Sequence, residues 1–121
     1  NTSGRLNFFQ LMGLIGVSDL VISADTAPIH LAASMSVPVI GLYGPNTPVL
    51  YGPWGDAENT CFYKKLKCSP CITNYNAKNN KCMYRKGNYA ACMEKISVNE
   101  VYNRIAEKYF HHHIPYDDPD I

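Results

Sequence analysis

Residues 18–43 read SDLVISADTAPIHLAASMSVPVIGLY, and this stretch determines the fold class. Its two apolar runs, DLVIS and VPVIGLY, are rich in branched side chains, as parallel strands buried on both faces are. Between the runs, Asp25 and Thr26 precede Pro28, an order that is typical of a helix start. A strand, a helix and a strand joined this way place the two strands parallel in one sheet. The predicted elements are a strand over 19–23, a helix over 28–35 and a strand over 37–43.

The segments on either side extend this α/β pattern. Residues 5–17 place apolar side chains at mostly helical spacing, which predicts a helix before the first strand. Ser97-Val-Asn-Glu100 is a capping box, so an amphipathic C-terminal helix is predicted to begin there. The segment 44–55 holds three glycines and three prolines and predicts a structured loop. Three side chains of this loop are expected to pack: Leu50, Tyr51 and Trp54.

The composition of the 121-residue chain limits what it can be. Apolar residues make up 46% and charged residues 17%, which indicates a folded domain, or part of one, and excludes a disordered protein. No apolar run approaches the ~20 residues that cross a bilayer, and a net charge of +1 argues against a dedicated nucleic-acid binder. Two predicted strands and three helices are too few for a complete α/β domain. We therefore expect the later part of such a domain, with its first half upstream.

The charges are distributed unevenly along the chain. Residues 1–60 hold one base and four acids, whereas residues 61–121 hold ten bases and six acids. Between Asn59 and Met93 there are seven bases and no acid. Two interpretations of this basic segment remain open. It is a solvated surface loop, or it is a surface that meets phosphate, an anionic acceptor or a membrane.

The segment Asp25–His30 is the candidate site. It lies at the carboxyl end of a predicted strand, where open α/β sheets bind ligands, and at a helix start, which suits phosphates. Asp25 can accept hydrogen bonds from sugar hydroxyls, and Thr26 can donate its hydroxyl. His30, in the first helical turn, can reach a phosphate or a leaving group. The alternative is structural: Asp25 and Thr26 only cap a helix, and His30 is a packed surface ring.

The same residues resemble a known family. Residues 18–48, ending in Gly44-Pro-Asn-Thr-Pro48, are similar to the signature of the glycosyltransferase family 9 enzymes. These are the ADP-heptose:lipopolysaccharide heptosyltransferases and their relatives. The family pattern has glycine where this chain has Ala27. The similarity continues in further stretches at Tyr51–Pro53, Lys67–Cys71, Cys82 and Cys92–Ser97.

The resemblance implies a GT-B fold, in which two Rossmann-like domains face a cleft. Residues 1–110 would then be the later part of the C-terminal, nucleotide-sugar-binding domain, with parallel strands, a cysteine-rich insertion over 61–92 and a C-terminal helix. Residues 111–121 would be an irregular tail. The implied reaction is metal-independent, inverting transfer of a sugar from ADP-heptose or a related nucleotide sugar. The implied acceptor is a surface glycan or a lipopolysaccharide-type lipid, and no cofactor is expected.

Roles for individual residues follow from the same resemblance. Asp25 matches the family aspartate near the donor sugar, Thr26 and the N–H of Ala27 hold the diphosphate, and His30 lies beside it. The catalytic base of the family belongs to the N-terminal domain. No catalytic residue is therefore expected in this chain, and the isolated chain is expected to be inactive. A cytoplasmic location, peripheral to the inner membrane, is also implied.

The cysteines leave several chemistries open. Cys68-x₂-Cys71-x₁₀-Cys82-x₉-Cys92 offers four thiolates, with Cys61 left over. Free thiols, a structural zinc site and disulfides are all compatible with this spacing. Two other functions remain open beside the enzyme: a non-catalytic module that binds a nucleotide or a partner protein, and a small zinc-binding domain around 61–92. The run His111–His113 is interpreted as the frayed end of the last helix rather than a metal site.

Overall fold

The chain folds as an α/β unit around a three-stranded parallel sheet, which confirms the predicted fold class. The computed structural model describes residues 1–72, 82, 84–86 and 89–109. Its helices are α1 (Phe8–Gly16), α2 (Ala27–Ser34), α3 (Pro48–Tyr51), α4 (Ala91–Glu94) and α5 (Val98–Tyr109). Its strands are β1 (Val21–Ala24), β2 (Val39–Tyr43), β3 (Asn59–Tyr63), β4 (Arg85–Lys86) and β5 (Tyr89–Ala90).

Strand β2 lies at the centre of the sheet, between β1 and β3, and pairs in parallel with both. In this register Val39 is opposite Val21 on one side and Asn59 on the other. The predicted crossover from β1 through α2 to β2 is therefore confirmed. β4 and β5 form a separate antiparallel pair.

Strand β3 was not predicted. Thr60, Phe62 and Tyr63 are residue types that favour strands, but the sequence interpretation assigned this stretch to the cysteine-rich insertion. In the structure Cys61 lies in the middle of β3, opposite Gly41 of β2. The cysteine-rich part of the chain thus begins as the third strand of the sheet.

The main core lies between one face of the sheet and the helices α1 and α2. Tyr43, at the end of β2, is fully buried there and donates its hydroxyl to the carbonyl of Tyr51 at 2.8 Å. On the other face of β2, Leu42 lines an apolar cavity of about 310 Å³ together with residues of α5 and of the segment before it. The core cluster consists of Ile15, Ile29, Ala32, Ala33, Val37, Val39 and Tyr43.

Strand β1 is not buried on both faces, contrary to the prediction. Ile22 is 46% exposed and Ala24 is also exposed. β1 is the edge strand of the described sheet. Ile22 shares a face of the sheet with Ile40 and Leu42. The cavity lined by α5 on this face is also lined by Leu42 of β2, and no residue of β1 lines it.

The loop after β2 is structured, as predicted, but it packs differently. Tyr51 packs against the core, whereas Leu50 and Trp54 are exposed, the latter to 92%. Gly52 ends α3 by donating its N–H to the carbonyl of Pro48 at 2.8 Å. A Cβ at this position would lie 2.5 Å from that oxygen, so only glycine fits the turn.

Both terminal helices begin at capping boxes. Asn7 and Gln10 form the capping box of α1. This helix begins at Phe8, whereas the predicted helix began at residue 5. Ser97 and Glu100 form the predicted capping box of α5. The Glu100 N–H donates to the Ser97 hydroxyl at 3.2 Å, and the Ser97 N–H donates to the Glu100 carboxylate at 3.3 Å. None of the helices described is long and apolar enough to cross a membrane. The histidine run and the tail over 111–121 lie outside the described residues.

Replacing Tyr43 with phenylalanine should lower the free energy of unfolding by about 1 kcal/mol, because it removes the hydrogen bond that the buried Tyr43 hydroxyl donates to the carbonyl of Tyr51. Burial holds the pKa of the Tyr43 hydroxyl far above its usual range, and the charges of Cys61 and Asp25 act in the same direction. The loss should therefore be the same at neutral and mildly alkaline pH. Urea unfolding measures it, with the exposed Tyr84→Phe as the control that changes stability by less than about 0.5 kcal/mol. Equal stability of the two variants would contradict the assignment.

The cap of α5 should make stability depend on acid pH. A hydrogen bond from Lys64 holds the pKa of Glu100 below its usual range, and the Ser97 backbone adds to this. A carboxylate with a lowered folded pKa stabilises the fold above its unfolded pKa, and this contribution is lost as the pH falls through the folded pKa. Glu100→Gln should thus cost up to about 1 kcal/mol at neutral pH and converge with wild type in acid.

The matched control for this prediction is Glu107→Gln, whose carboxylate lies 3.8 Å from Arg104 on an exposed face of the same helix. It should change stability by less than about 0.5 kcal/mol at any pH. Unfolding curves recorded from neutral to acid pH give the free energy of unfolding of both variants. A difference between Glu100→Gln and wild type that stays constant with pH would show that the ion pair contributes nothing.

Candidate functional site

The candidate site is formed where β1 and β2 end. Asp25 follows β1 directly, and the turn Gly44–Pro48 follows β2. Because parallel neighbours end at the same edge of a sheet, the two segments meet. The side-chain N–H of Asn46 donates to a carboxylate oxygen of Asp25 at 2.5 Å. Asp25 is half-buried, and its charge contributes to the raised pKa of the Tyr43 hydroxyl.

Thr26 occupies the N-cap position of α2, but its side chain does not cap the helix. Its hydroxyl donates to the carbonyl of Ala24 at 3.2 Å and lies 3.1 Å from the hydroxyl of Ser23. Asp25 does not cap α2 either, because its carboxylate is turned toward Asn46. The side chains of Asp25 and Thr26 therefore do not cap α2.

The first turn of α2 keeps the features that suit an anion. Helices leave their first backbone N–H groups without intrahelical partners. Here the Ile29 N–H donates to the carbonyl of Thr26 at 3.2 Å, and the Thr26 side chain does not cap the helix. Pro28 has no N–H, so Ala27 supplies the main donor of this turn, beside the exposed Thr26 hydroxyl. The described residues with positive φ are Gly4, Ser36 and Gly55. Ala27 therefore has ordinary helical geometry, and alanine is tolerated where the family pattern has glycine.

His30 lies in the same turn as Asp25, Thr26 and Ala27, one residue after the fully buried Ile29. Ile29 fixes the helix on the core, and the imidazole of His30 is exposed. His30 is thus not a packed ring. The four residues predicted for the site lie in one six-residue segment that runs from the end of β1 into the first turn of α2.

The turn after β2 is held by the segment Ser69–Ile72. The buried Ser69 hydroxyl donates to the carbonyl of Gly44 at 2.6 Å. The backbone N–H groups of Cys71 and Ile72 both donate to the carbonyl of Pro45, at 2.9 and 3.1 Å. The segment Ser69–Ile72 therefore holds the turn that carries Asn46 in place through these hydrogen bonds.

The cysteines are all free thiols in the structure. Cys92 is buried against Gly44, where a Cβ would lie 3.0 Å from its sulfur. Burial raises the pKa of Cys61, Cys71 and Cys92, and for Cys71 the nearby Cys68 adds to the effect. Among the described residues, no group of three or more histidine, cysteine or acidic side chains is arranged to hold a metal ion. The zinc alternative stays a prediction.

Sequence reasoning missed Asn46, Ser23 and Ser69. Asn46 lies within the Gly-Pro-Asn-Thr-Pro turn that the sequence analysis singled out, so the signal for it was present. Its contact with Asp25 spans 21 positions along the chain and depends on the strand register. The basic segment contains Lys64, which is paired with Glu100 at 2.5 Å, and the exposed Lys65 and Lys67. Its remaining basic side chains lie outside what the structure describes.

Comparison with known proteins identifies the family. The model of "Glycosyltransferase family 9 (heptosyltransferase)" matches residues 1–82, which include β1 to β3, the Asp25–His30 segment and the turn after β2. The chain belongs to glycosyltransferase family 9. No solved structure shows significant similarity to it.

Individual relatives are named as lipopolysaccharide or lipooligosaccharide heptosyltransferases. The chain is 41% identical over 59 residues to the lipopolysaccharide core heptosyltransferase OpsX of Haemophilus influenzae, a match that covers 49% of the chain and 17% of that protein. It is 35% identical over 54 residues to lipopolysaccharide heptosyltransferase 3 of Escherichia coli, covering 45% and 16%. It is 31% identical over 84 residues to lipooligosaccharide heptosyltransferase 2 of Campylobacter jejuni, covering 69% and 26%. The chain thus spans about a sixth to a quarter of the length of these relatives.

The thiols should differ in their reaction with iodoacetamide. The thiolate is the nucleophile, so burial slows a cysteine both by raising its pKa and by blocking access. We expect the exposed Cys82 to be alkylated first at neutral pH and the buried Cys92 last, with Cys92 accelerating as the pH rises. Peptide mapping by mass spectrometry gives the order. The denatured protein is the control, in which all five should react alike; early alkylation of Cys92 in the folded protein would contradict its buried position.

Proposed function

We propose that the protein containing this chain is a heptosyltransferase-type glycosyltransferase, and that this chain supplies part of its nucleotide-sugar site. The observation that carries the proposal is the arrangement at the end of β1. A carboxylate held by Asn46 lies beside a helix start whose first N–H groups are not capped by Asp25 or Thr26. An acceptor for sugar hydroxyls therefore adjoins a site for phosphate. Membership of family 9 supports the same conclusion.

In this proposal the diphosphate of ADP-heptose binds at the start of α2. The leaving group gains negative charge as its bond to the sugar breaks. The Ala27 N–H, the Thr26 hydroxyl and the positive end of the helix dipole stabilise that charge. His30, exposed in the same turn, donates a further hydrogen bond to it. Asp25 orients the sugar through its hydroxyl groups.

The remaining parts of the reaction are assigned to the rest of the protein. We propose a GT-B organisation in which residues 1–110 form the later part of the donor domain and a preceding domain supplies the general base. That base deprotonates the acceptor hydroxyl, which attacks the anomeric carbon from the face opposite the diphosphate and inverts its configuration. By itself this chain would bind donor but transfer nothing. The relatives are named for lipopolysaccharide and lipooligosaccharide, so the proposed acceptor is a glycolipid of that kind at the cytoplasmic face of the inner membrane.

Asp25→Ala in the full-length protein should abolish heptose transfer without unfolding it. The substitution removes the acceptor for the sugar hydroxyls but no helix cap, because Asp25 does not cap α2. Transfer from ADP-heptose to a heptose-deficient lipopolysaccharide is followed by mass spectrometry of the acceptor. Asp56→Ala, which removes an exposed carboxylate beyond α3, is the matched control and should keep wild-type turnover.

Two outcomes would contradict the proposal. Unchanged turnover of Asp25→Ala would remove Asp25 from the site. Binding of ADP-heptose by the full-length protein with no transfer to any glycolipid acceptor would instead indicate the non-catalytic binding module. Thermal unfolding of each variant, recorded in parallel, separates loss of function from loss of fold.

A further inference from the structure

A second pocket, of about 250 Å³, lies beside the segment that follows β3, and we call it the lysine pocket. Leu66 and Ala91 give it apolar surface, and Tyr84 adds an aromatic ring with a hydroxyl group. Its charged lining consists of Lys67 and Lys95, whose side chains are both exposed to solvent. Among the described residues, none of the side chains that line this pocket is acidic.

The lysine pocket lies at the edge of the sheet where the strands end. The two segments that supply its lysines both contact Gly44, the first residue after β2. The Ser69 hydroxyl donates to the Gly44 carbonyl at 2.6 Å, and Cys92 packs beside Gly44, where a Cβ would lie 3.0 Å from its sulfur. Through Asn46 the same turn contacts Asp25. The pocket and the candidate site are therefore both built on the turn after β2.

The charges of the pocket are not neutralised by neighbouring side chains. The sequence from Asn59 to Met93 contains no acid, and none of the ion pairs between described residues involves Lys67 or Lys95. Glu94 precedes Lys95 in the chain but does not line the pocket. Like charges around one cleft repel each other and attract anions from solution. A bound anion removes this repulsion, which a merely solvated loop would avoid by keeping its lysines apart.

The lining indicates the class of ligand. A lysine ammonium donates charge-assisted hydrogen bonds to phosphate or carboxylate oxygens. The apolar and aromatic surface beside the lysines suits the carbon skeleton of a sugar that carries such a group. The volume of about 250 Å³ lies below the ~300 Å³ at which ordinary small-molecule pockets begin, so one charged sugar fits better than a whole nucleotide sugar.

We propose that the lysine pocket binds a phosphate or carboxylate group of the glycolipid acceptor. The inference rests on the proposed function, because only a transferase needs an acceptor. The turn after β2 then has the donor at one end of the shared edge and the charged part of the acceptor further along it. Acceptor recognition is thereby assigned in part to this chain, in addition to the domain proposed to hold the general base.

The test measures heptose transfer from ADP-heptose to heptose-deficient lipopolysaccharide by the full-length protein. Lys67→Gln and Lys95→Gln each remove one charge and keep a long polar side chain. Each should raise the KM for the acceptor by about 5-fold, the upper range for an exposed ion pair, and the double variant by about 10-fold or more. The KM for ADP-heptose should stay within about 2-fold of wild type, which also shows that the variants are folded.

The same segment contains a matched control. Lys65 is an exposed lysine two positions before Lys67, and it does not line the pocket. Lys65→Gln should leave the KM for the acceptor within about 2-fold of wild type. Lys67→Arg keeps the positive charge and should retain most of the affinity for the acceptor.

A phosphate-free acceptor distinguishes the two ligand groups. Removing the phosphate groups from the lipopolysaccharide should raise its KM for the wild-type protein if the lysines bind phosphate. The KM should stay unchanged for the wild type, and still rise in the lysine variants, if they bind a carboxylate. Either result supports an anion site in the lysine pocket.

Three results would overturn the inference while leaving the proposed function intact. An unchanged KM for the acceptor in the double variant would show that the pocket does not contact it. An equal rise with Lys65→Gln would show a general effect of positive charge and not a pocket. Equal losses for donor and acceptor, or loss of fold, would make the lysines structural. A wild-type protein that transfers to no glycolipid would instead refute the proposed function, and the acceptor role of the pocket with it.

Discussion

The parallel pairing of β2 with a strand on each side is the constraint on which the rest of the structure depends. β2 is buried along most of its length, and its register places the ends of β1 and β2 side by side. Asp25 and Asn46 are 21 positions apart in the chain and touch because of that register. Tyr43, the last residue of β2, fastens the following turn to the core through the carbonyl of Tyr51. The site is therefore a product of the sheet rather than of any single loop.

Local patterns predicted the first two strands and the helices around them well. The crossover, the capping box before α5 and the grouping of Asp25, Thr26, Ala27 and His30 all follow from adjacent residues, for which spacing and capping rules are sufficient. The third strand was missed because the stretch that contains Cys61 was assigned to the cysteine-rich insertion, although Thr60, Phe62 and Tyr63 favour a strand. The exposure of Ile22 was missed because an apolar run does not reveal whether its strand lies at the edge of a sheet.

The part of the site that the sequence did not reveal consists of contacts between distant segments. Ser69 and Cys71 belong to a motif that was interpreted through its sulfur atoms, yet they act on the site through a hydroxyl and a backbone N–H. Thr26 is a residue type that often caps helices, yet its hydroxyl donates to the carbonyl of Ala24 and does not cap α2. Residue type and spacing predict which groups are available. The tertiary structure decides which partner each group takes.

The hydrogen bonds from Ser69–Ile72 to the turn after β2 have a thermodynamic consequence. A loop that carries binding residues normally loses conformational entropy when its ligand arrives, and that loss weakens affinity. Here the turn is already ordered in the folded chain, so this entropy is lost during folding and not during binding. In the proposed function, loosening the segment Ser69–Ile72 would therefore weaken ligand binding as well as remove these hydrogen bonds. The segment preorganises the site without belonging to it.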